Sequence, residues 1–234
     1  MGDRHRPFPH APEPVASAFH RTFIDAPRIG TRLPRMGARV DESEIGITWV
    51  QDEPMARASH ALVSDGRVWI VDPVDDPAVM DRVAALGTPV AVIQLLDRHD
   101  RDSRQVADRL GIPLLDLPDD LKGTPFHPID VVSNRLWKEK ALWWQAEQTL
   151  VVAEAIGTNP MACPSDAGAG VHIGLRLKPP KQALGTYVPQ HLLVGHGDPI
   201  HGPRATTALQ EAMDRSRRDF PKAMVKMPGA MRSG

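Results

Sequence analysis

The stretch that decides the fold is Val90-Ala-Val-Ile-Gln-Leu-Leu-Asp97-Arg98-His99-Asp100-Arg101-Asp102. Its first seven residues form a near-continuous apolar run, which reads as a strand buried on both faces. The run stops at a loop made only of charged or titratable residues. Beyond it, Val106, Ala107 and Leu110 predict a helix over Asp102–Leu110, stopped by Gly111. Upstream, Val79, Met80, Val83, Ala84 and Leu86 place a helix over Asp76–Leu86, ended by Gly87. Further out, Ser59–Ser64 and Arg67–Val71 flank Asp65-Gly66, the signature of a hairpin with a type I′ turn. Ile45–Val50 precedes the hairpin as a strand, and Pro113–Leu117 follows the second helix as a short one. Residues 67–117 thus read strand, helix, strand, helix, strand, and the hairpin in front makes the sheet mixed.

The second half differs. Ala141–Trp144 and Thr149–Ala153 around the polar Gln145–Gln148 read as another hairpin. An apolar segment Val171–Leu177, a break at Pro179-Pro180, a strand at His191–Val194 and a helix over Arg204–Arg218 complete it. Ala155–Gly170, rich in Gly and Pro, reads as a long loop near the edge of the site. Residues 1–44, with prolines from Pro7 to Pro34 and arginines Arg21, Arg28, Arg32, Arg35 and Arg39, show no lasting period and read as an irregular arm. The expected organisation is that arm, one domain over 45–220 and a tail over 221–234.

Composition narrows the function. The 234 residues are 41% hydrophobic and 24% charged, an ordinary globular mixture. Lys plus Arg 28 against Asp plus Glu 29 leaves a net charge of -1, without the basic excess of a nucleic-acid binder. No apolar run reaches a membrane span, and no apolar stretch follows Arg4 and Arg6 to make a signal peptide. The single cysteine, Cys163, excludes an internal disulfide framework. The expectation is a cytoplasmic protein with neither nucleic acid nor membrane as partner; the oligomeric state is left open.

Three segments, in order, resemble the metallo-β-lactamase fold superfamily. The first is Arg67-Val-Trp-Ile-Val-Asp72-Pro with the following helix, the Val90–Leu96 strand and the loop Asp97–Asp102, which stands where the family writes His-x-His-x-Asp-His. The second is Ala141-Leu-Trp-Trp-Gln-Ala-Glu-Gln-Thr-Leu-Val-Val-Ala-Glu154, similar to the hairpin that ends in the metal-bridging aspartate. The third is Gly195-His196-Gly197 before a helix, similar to the closing Gly-His-Gly with its ligand histidine. The resemblance implies an α/β fold of four αββα layers, with two mixed β-sheets face to face and a site at one edge between them. It implies hydrolase-like chemistry on one or two metal ions, usually zinc, which acidify a bound water.

The same resemblance implies a degenerate metal site. The motif histidines fall on Asp97, His99 and Asp102, the motif aspartate on Arg101, the bridging aspartate on Glu154 and the final histidine on His196. A further family histidine has no counterpart in residues 128–140, and His127 matches poorly. Arginine does not ligate, because its guanidinium stays protonated and repels a dication. No dinuclear site and no cofactor are therefore expected. Asp97, His99, Glu154 and His196 remain as weak ligands for one divalent cation, Zn²⁺, Mn²⁺ or Mg²⁺. Arg101 is expected to pair with Glu154, or else with Asp102 or Asp97, replacing the missing metal charge.

Plainer readings stand beside these. Asp100 or Asp102 fits a helix N-cap, and Asp72 before Pro73 fits a fixer of backbone donors. A lone His99 fits a hydrogen-bonded structural histidine. Trp137, Trp143 and Trp144 fit core or cleft walls, the last two facing opposite sides of a strand. No nucleophile elbow or phosphate loop is present. Two function classes remain: a divergent hydrolase-like or ligand-binding protein with a small molecule in its cleft, and a non-catalytic interaction protein on the same fold.

Overall fold

The computed structural model describes residues 37–99, 101–163 and 168–230. The arm up to residue 36, Asp100 as a cap, and the end of the tail lie outside them. Thirteen strands and four α-helices follow in order among the described residues. They are β1 (Ala38–Ser43), β2 (Gly46–Gln51), β3 (Ala58–Ser64), β4 (Arg67–Val71), α1 (Pro77–Leu86), β5 (Thr88–Gln94), α2 (Ser103–Leu110) and β6 (Leu114–Asp116). Then come β7 (Phe126–Asn134), β8 (Trp137–Trp144), β9 (Thr149–Val152), β10 (Ile156–Gly157), β11 (Gly170–Val171), α3 (Lys181–Leu184), β12 (His191–Val194), β13 (Ile200–His201) and α4 (Arg204–Ala230).

One sheet has six strands in the order β1-β2-β3-β4-β5-β6, antiparallel as far as β4 and parallel from β4 to β6. Apart from the separate antiparallel pair β10-β11, the other sheet has five strands, β13-β12-β9-β8-β7, with one parallel pair, β12 and β9. Both are mixed, as expected. Alternation along each strand then sets the layers. On β4, Trp69 and Val71 face the second sheet and meet Leu142, Trp144, Val151 and Leu193, whereas Val68 and Ile70 face α1 and α2 through Val79, Val83 and Val106. The outer face of the second sheet packs Leu150, Val152, Leu192 and Val194 under Ala205, Leu209 and Met213 of α4. Two sheets thus lie between two helical layers. Trp69, Phe126 and Trp144 stack edge-on at 5.3 and 5.4 Å across the inter-sheet core; truncating such a ring costs about 3–5 kcal/mol.

Local rules hold where the chemistry is local. Asp65 and Gly66 both have positive φ, 49° and 69°, as a type I′ turn requires. Asp76 caps α1 by accepting the Ala78 and Val79 N–H groups.

Two expectations change, and two further segments take a form the sequence left unread. Residues 38–43, read as part of the irregular arm, form β1, which pairs antiparallel with β2 from Ala38↔Gln51 to Ser43↔Gly46. A polar edge strand shows no alternation, and its partner supplies its order. Residues 221–230, read as tail, continue α4 through Pro221; one turn earlier in the same helix, Arg176 donates to the Asp219 carbonyl at 3.0 Å and its own carbonyl accepts from Ser216 Oγ at 2.8 Å. Val171–Leu177 is not one strand, because the His172 side chain accepts the Gly174 N–H at 3.2 Å and turns the chain into a 3-10 turn. Strand β7 had no reading: Pro128 and the polar Asp130 obscure its period. No helix among the described residues is long and apolar enough to cross a membrane.

Candidate functional site

Four strands end at one edge of the sandwich. Beyond β4 lies Asp72, beyond β5 the loop 95–102, beyond β9 Glu154 and beyond β12 Gly195-His196-Gly197. In each sheet the two strands concerned run parallel, so their carboxyl ends open together, where sites collect in α/β sheets. The backbone also joins the sheets here: Ala58 N–H donates to Gly195 O at 2.8 Å, Gly197 N–H to Ala56 O at 2.8 Å and Lys140 N–H to Leu95 O at 2.8 Å. Gly195 has no room for a Cβ, which would overlap the Ala153 carbonyl, and Gly197 combines φ 103° with the Thr158–Asn159 backbone against it. Only glycine fits either position, and the pair fixes where His196 points.

Asp72 is buried with φ 44°. Its Oδ1 accepts the Leu95 N–H at 3.1 Å and its Oδ2 lies 3.2 Å from His99 Nδ1. It therefore fixes a backbone donor, as read, and also orients a histidine. Burial opposes its charge, but His99, Arg101 and the Leu95 N–H hold its carboxyl below the usual range. His99 is buried, and its Nε2 has no hydrogen-bond partner. Its ring meets that of His196 edge-on at 5.8 Å between centroids. His196 Nδ1 lies 3.0 Å from the Met55 carbonyl, so that nitrogen carries the proton. Burial first, and Arg101 next, press His196 down to about 4.

Arg101 does not pair with Glu154, Asp102 or Asp97. Its Nη1 donates to the carbonyls of Ala58 and, at 3.0 Å, Asp72; its Nη2 donates to Gly195 O at 2.8 Å. The fork reaches the start of β3, the end of β4 and the end of β12, three strands over two sheets. The strand ends bring several carbonyls to this edge, among them Gly195 O, which also accepts the Ala58 N–H, and a guanidinium with five donors takes three at once. Burial lowers Arg101 to about 10, opposed by the Asp72 charge, so it stays a cation at neutral pH.

The carboxylates of the motif turn elsewhere. Asp97 is exposed and accepts the Lys138 N–H at 3.0 Å. Asp102 stands at the N-cap position of α2 but makes no side-chain cap; its Oδ2 accepts the Asp75 N–H at 2.8 Å. Glu154 lies 3.5 Å from Arg98 Nε and 3.5 Å from His172 Nε2. Of the six expected site residues, His99, Arg101 and His196 come together, Glu154 borders them, and Asp97 and Asp102 face away. His127, on β7, is exposed opposite Trp143 and far from the loop in the sheet.

Two buried groups had no sequence reading. Glu139 accepts the Glu154 and Ala155 N–H groups at 2.8 and 2.9 Å through Oε1 and the Trp137 indole at 3.0 Å through Oε2. Burial raises it to about 7 against those three donors. His60 lies 2.9 Å from Thr48 Oγ1, with Nε2 unpartnered, and burial drives it down to about 3. Its alternation with Leu62, an inward-facing residue, was the available signal.

The fold's implied metal can be tested against these residues. Among the described residues, no group of three or more His, Cys, Asp and Glu side chains is placed to hold a metal ion. Two histidines remain, beside a fixed guanidinium whose charge repels a dication. The donor set does not fit the superfamily's metal centre.

No protein-family profile matches the sequence, and no curated protein matches it either. Solved structures do. The metallo-β-lactamase DIM-1 is 11% identical at TM-score 0.51, over 78% of this chain and 99% of that one. TMB-1 is 11% identical at TM-score 0.50 over 81% and 99%, and VMB-1 is 8% identical at 0.50 over 76% and 97%. Likeness at that identity speaks for architecture, and it coincides with the layer order and strand-end edge described above: the chain has the metallo-β-lactamase fold.

Proposed function

We propose that this protein binds a small molecule in the strand-end cleft of a metallo-β-lactamase fold, hydrolase-like in architecture and working without a dinuclear metal site. Arg101 carries the reading. A guanidinium bonded to the carbonyls of Ala58, Asp72 and Gly195 occupies, as a permanent cation, the junction that the motif assigns to a ligand carboxylate. Nothing in that arrangement supplies a metal-bound water, and the buried His99 Nε2 keeps a nitrogen for a ligand. The single cysteine accords with a cytoplasmic setting.

The experiment is elemental analysis of protein purified without added metal, together with fragment screening by ¹H–¹⁵N NMR. The expected result is zinc, manganese and magnesium well below one per chain, with fragments shifting His99, Glu154 and His196. Stoichiometric zinc accompanied by ester or lactam hydrolysis would overturn the proposal. A second reading, a divergent hydrolase with one weakly held cation, is favoured by the 5.8 Å approach of the His99 and His196 rings, with Asp72 orienting His99 from behind. It requires one cation per chain that is lost in His99→Ala and His196→Ala.

A further inference from the structure

Glu154 is a carboxylate with unused acceptor capacity. Its side chain is only 18% exposed, yet both of its ion pairs are 3.5 Å long, well beyond the 2.7–2.9 Å of a charge-assisted hydrogen bond. Its two oxygens face different neighbours, Oε2 toward Arg98 and Oε1 toward His172. The indole of Trp137 forms the wall. Its Nε1 is fixed on Glu139, its ring meets His172 edge-on at 4.9 Å, and the Arg98 guanidinium lies 4.3 Å above its centroid. Glu139, a second carboxylate, stands directly behind and holds the Glu154 N–H.

Arg98 itself is poorly held. Its side chain is 44% exposed, and its one hydrogen bond among the described residues runs to the carbonyl of the exposed Leu136 at 3.2 Å. It covers the aromatic face and leans toward the carboxylate without making a close two-point contact. A ring face beside a two-oxygen carboxylate suits a planar cation, which can stack and bond both oxygens at once. A round ammonium uses only part of that geometry.

We infer that Glu154, Trp137 and His172 form a subsite for a planar organic cation, an amidinium or guanidinium, which Arg98 occupies from within the chain until the ligand displaces it. The inference rests on the ligand-binding reading and names the ligand's chemistry. Because Arg98 competes for the subsite, the apparent affinity of the ligand is lowered by the fraction of time Arg98 fills it.

The test uses the full chain with benzamidine as probe and neutral, isosteric benzamide as control, followed through the Trp137 indole N–H, assigned by its loss in Trp137→Phe. Benzamidine should shift that signal and those of His172, and benzamide should not. Arg98→Ala should bind benzamidine several-fold tighter, whereas Glu154→Gln should weaken it by about tenfold or more. Equal binding of benzamide, or a Trp137 signal unmoved by benzamidine in both the native protein and Arg98→Ala, would overturn the cation subsite. If neutral or anionic fragments then still shift His99 and His196, the ligand-binding reading survives; stoichiometric zinc with hydrolysis would defeat that reading itself.

Discussion

Arg101 Nη2 donates to the Gly195 carbonyl at 2.8 Å, which ties the loop after one sheet's buried strand to the residue before His196 in the other sheet. The same guanidinium holds Ala58 and Asp72. A residue that the motif places among metal ligands is thereby a bracket between the sheets.

Arg101→Met should be among the more destabilising single changes at this edge. It takes the guanidinium donors from the Ala58 and Asp72 carbonyls, leaves Gly195 O with the Ala58 N–H alone and the buried Asp72 with less compensation, at a cost of about 3–5 kcal/mol. Arg101→Lys keeps the charge without the fork and should cost roughly 1–3 kcal/mol. Urea unfolding measures both; a loss below about 1 kcal/mol for Arg101→Met would mean that the bracket is idle.

Exhaustive chelation should leave the melting temperature unchanged within about 2 °C. The sandwich is held by three apolar clusters, and none of them needs a metal. The double change Arg101→Asp with Asp102→His should not create zinc affinity, because residue 102 points to the Asp75 N–H and not into the junction. Calorimetric titration with zinc decides it, and submicromolar binding by the double variant would show that the loop swings.

Acid should destabilise the fold in a defined window. His60 and His196 are held near 3 and 4 by burial, against an ordinary 6.5, so below pH 6.5 the unfolded chain binds more protons than the native one. Their contribution is complete above 6.5 and is lost as pH falls toward 4, at ~1.4 kcal/mol per pH unit for each histidine. His196→Gln should remove one share of that slope between pH 6 and 4.5. Parallel curves for the native protein and the variant would show that His196 titrates normally.

Glu139 should act with the opposite sign. Its carboxyl, raised to about 7 by burial, binds a proton in the native state that the unfolded chain has lost above 4.5. That stabilisation is present below 4.5 and gone once pH passes 7, up to about 3 kcal/mol across the window. Glu139→Gln should therefore cost less at pH 8 than at pH 5, read from unfolding midpoints at the two values. A cost independent of pH would place the Glu139 titration in the ordinary range.

The Val90–Leu96 run, the Asp65-Gly66 turn, the helix over 76–86 and the second hairpin were legible because each depends on contacts within a few residues: apolar periodicity, a φ > 0 turn and a capping side chain. Together with the order of the Asp97–Asp102, Glu154 and His196 segments, they were enough for the αββα layers. Strand β1 was hidden because its order comes from β2, and the far end of α4 because Pro221 reads as a helix stop that the helix nonetheless passes. The site divided in the same way. The substitution of Arg101 for a ligand carboxylate could be read in the linear sequence, and so could the glycines around His196. Where the charges went could not. Arg101 chose three carbonyls over Glu154, Asp97 and Asp102 took backbone N–H groups, and Glu139 and Trp137 entered a site that no motif assigned to them. Sequence determines which groups a strand end carries and on which face they start. Which partner each group takes is a competition among backbone and side-chain acceptors brought together from distant strands, and only the packed sheets bring those competitors within reach.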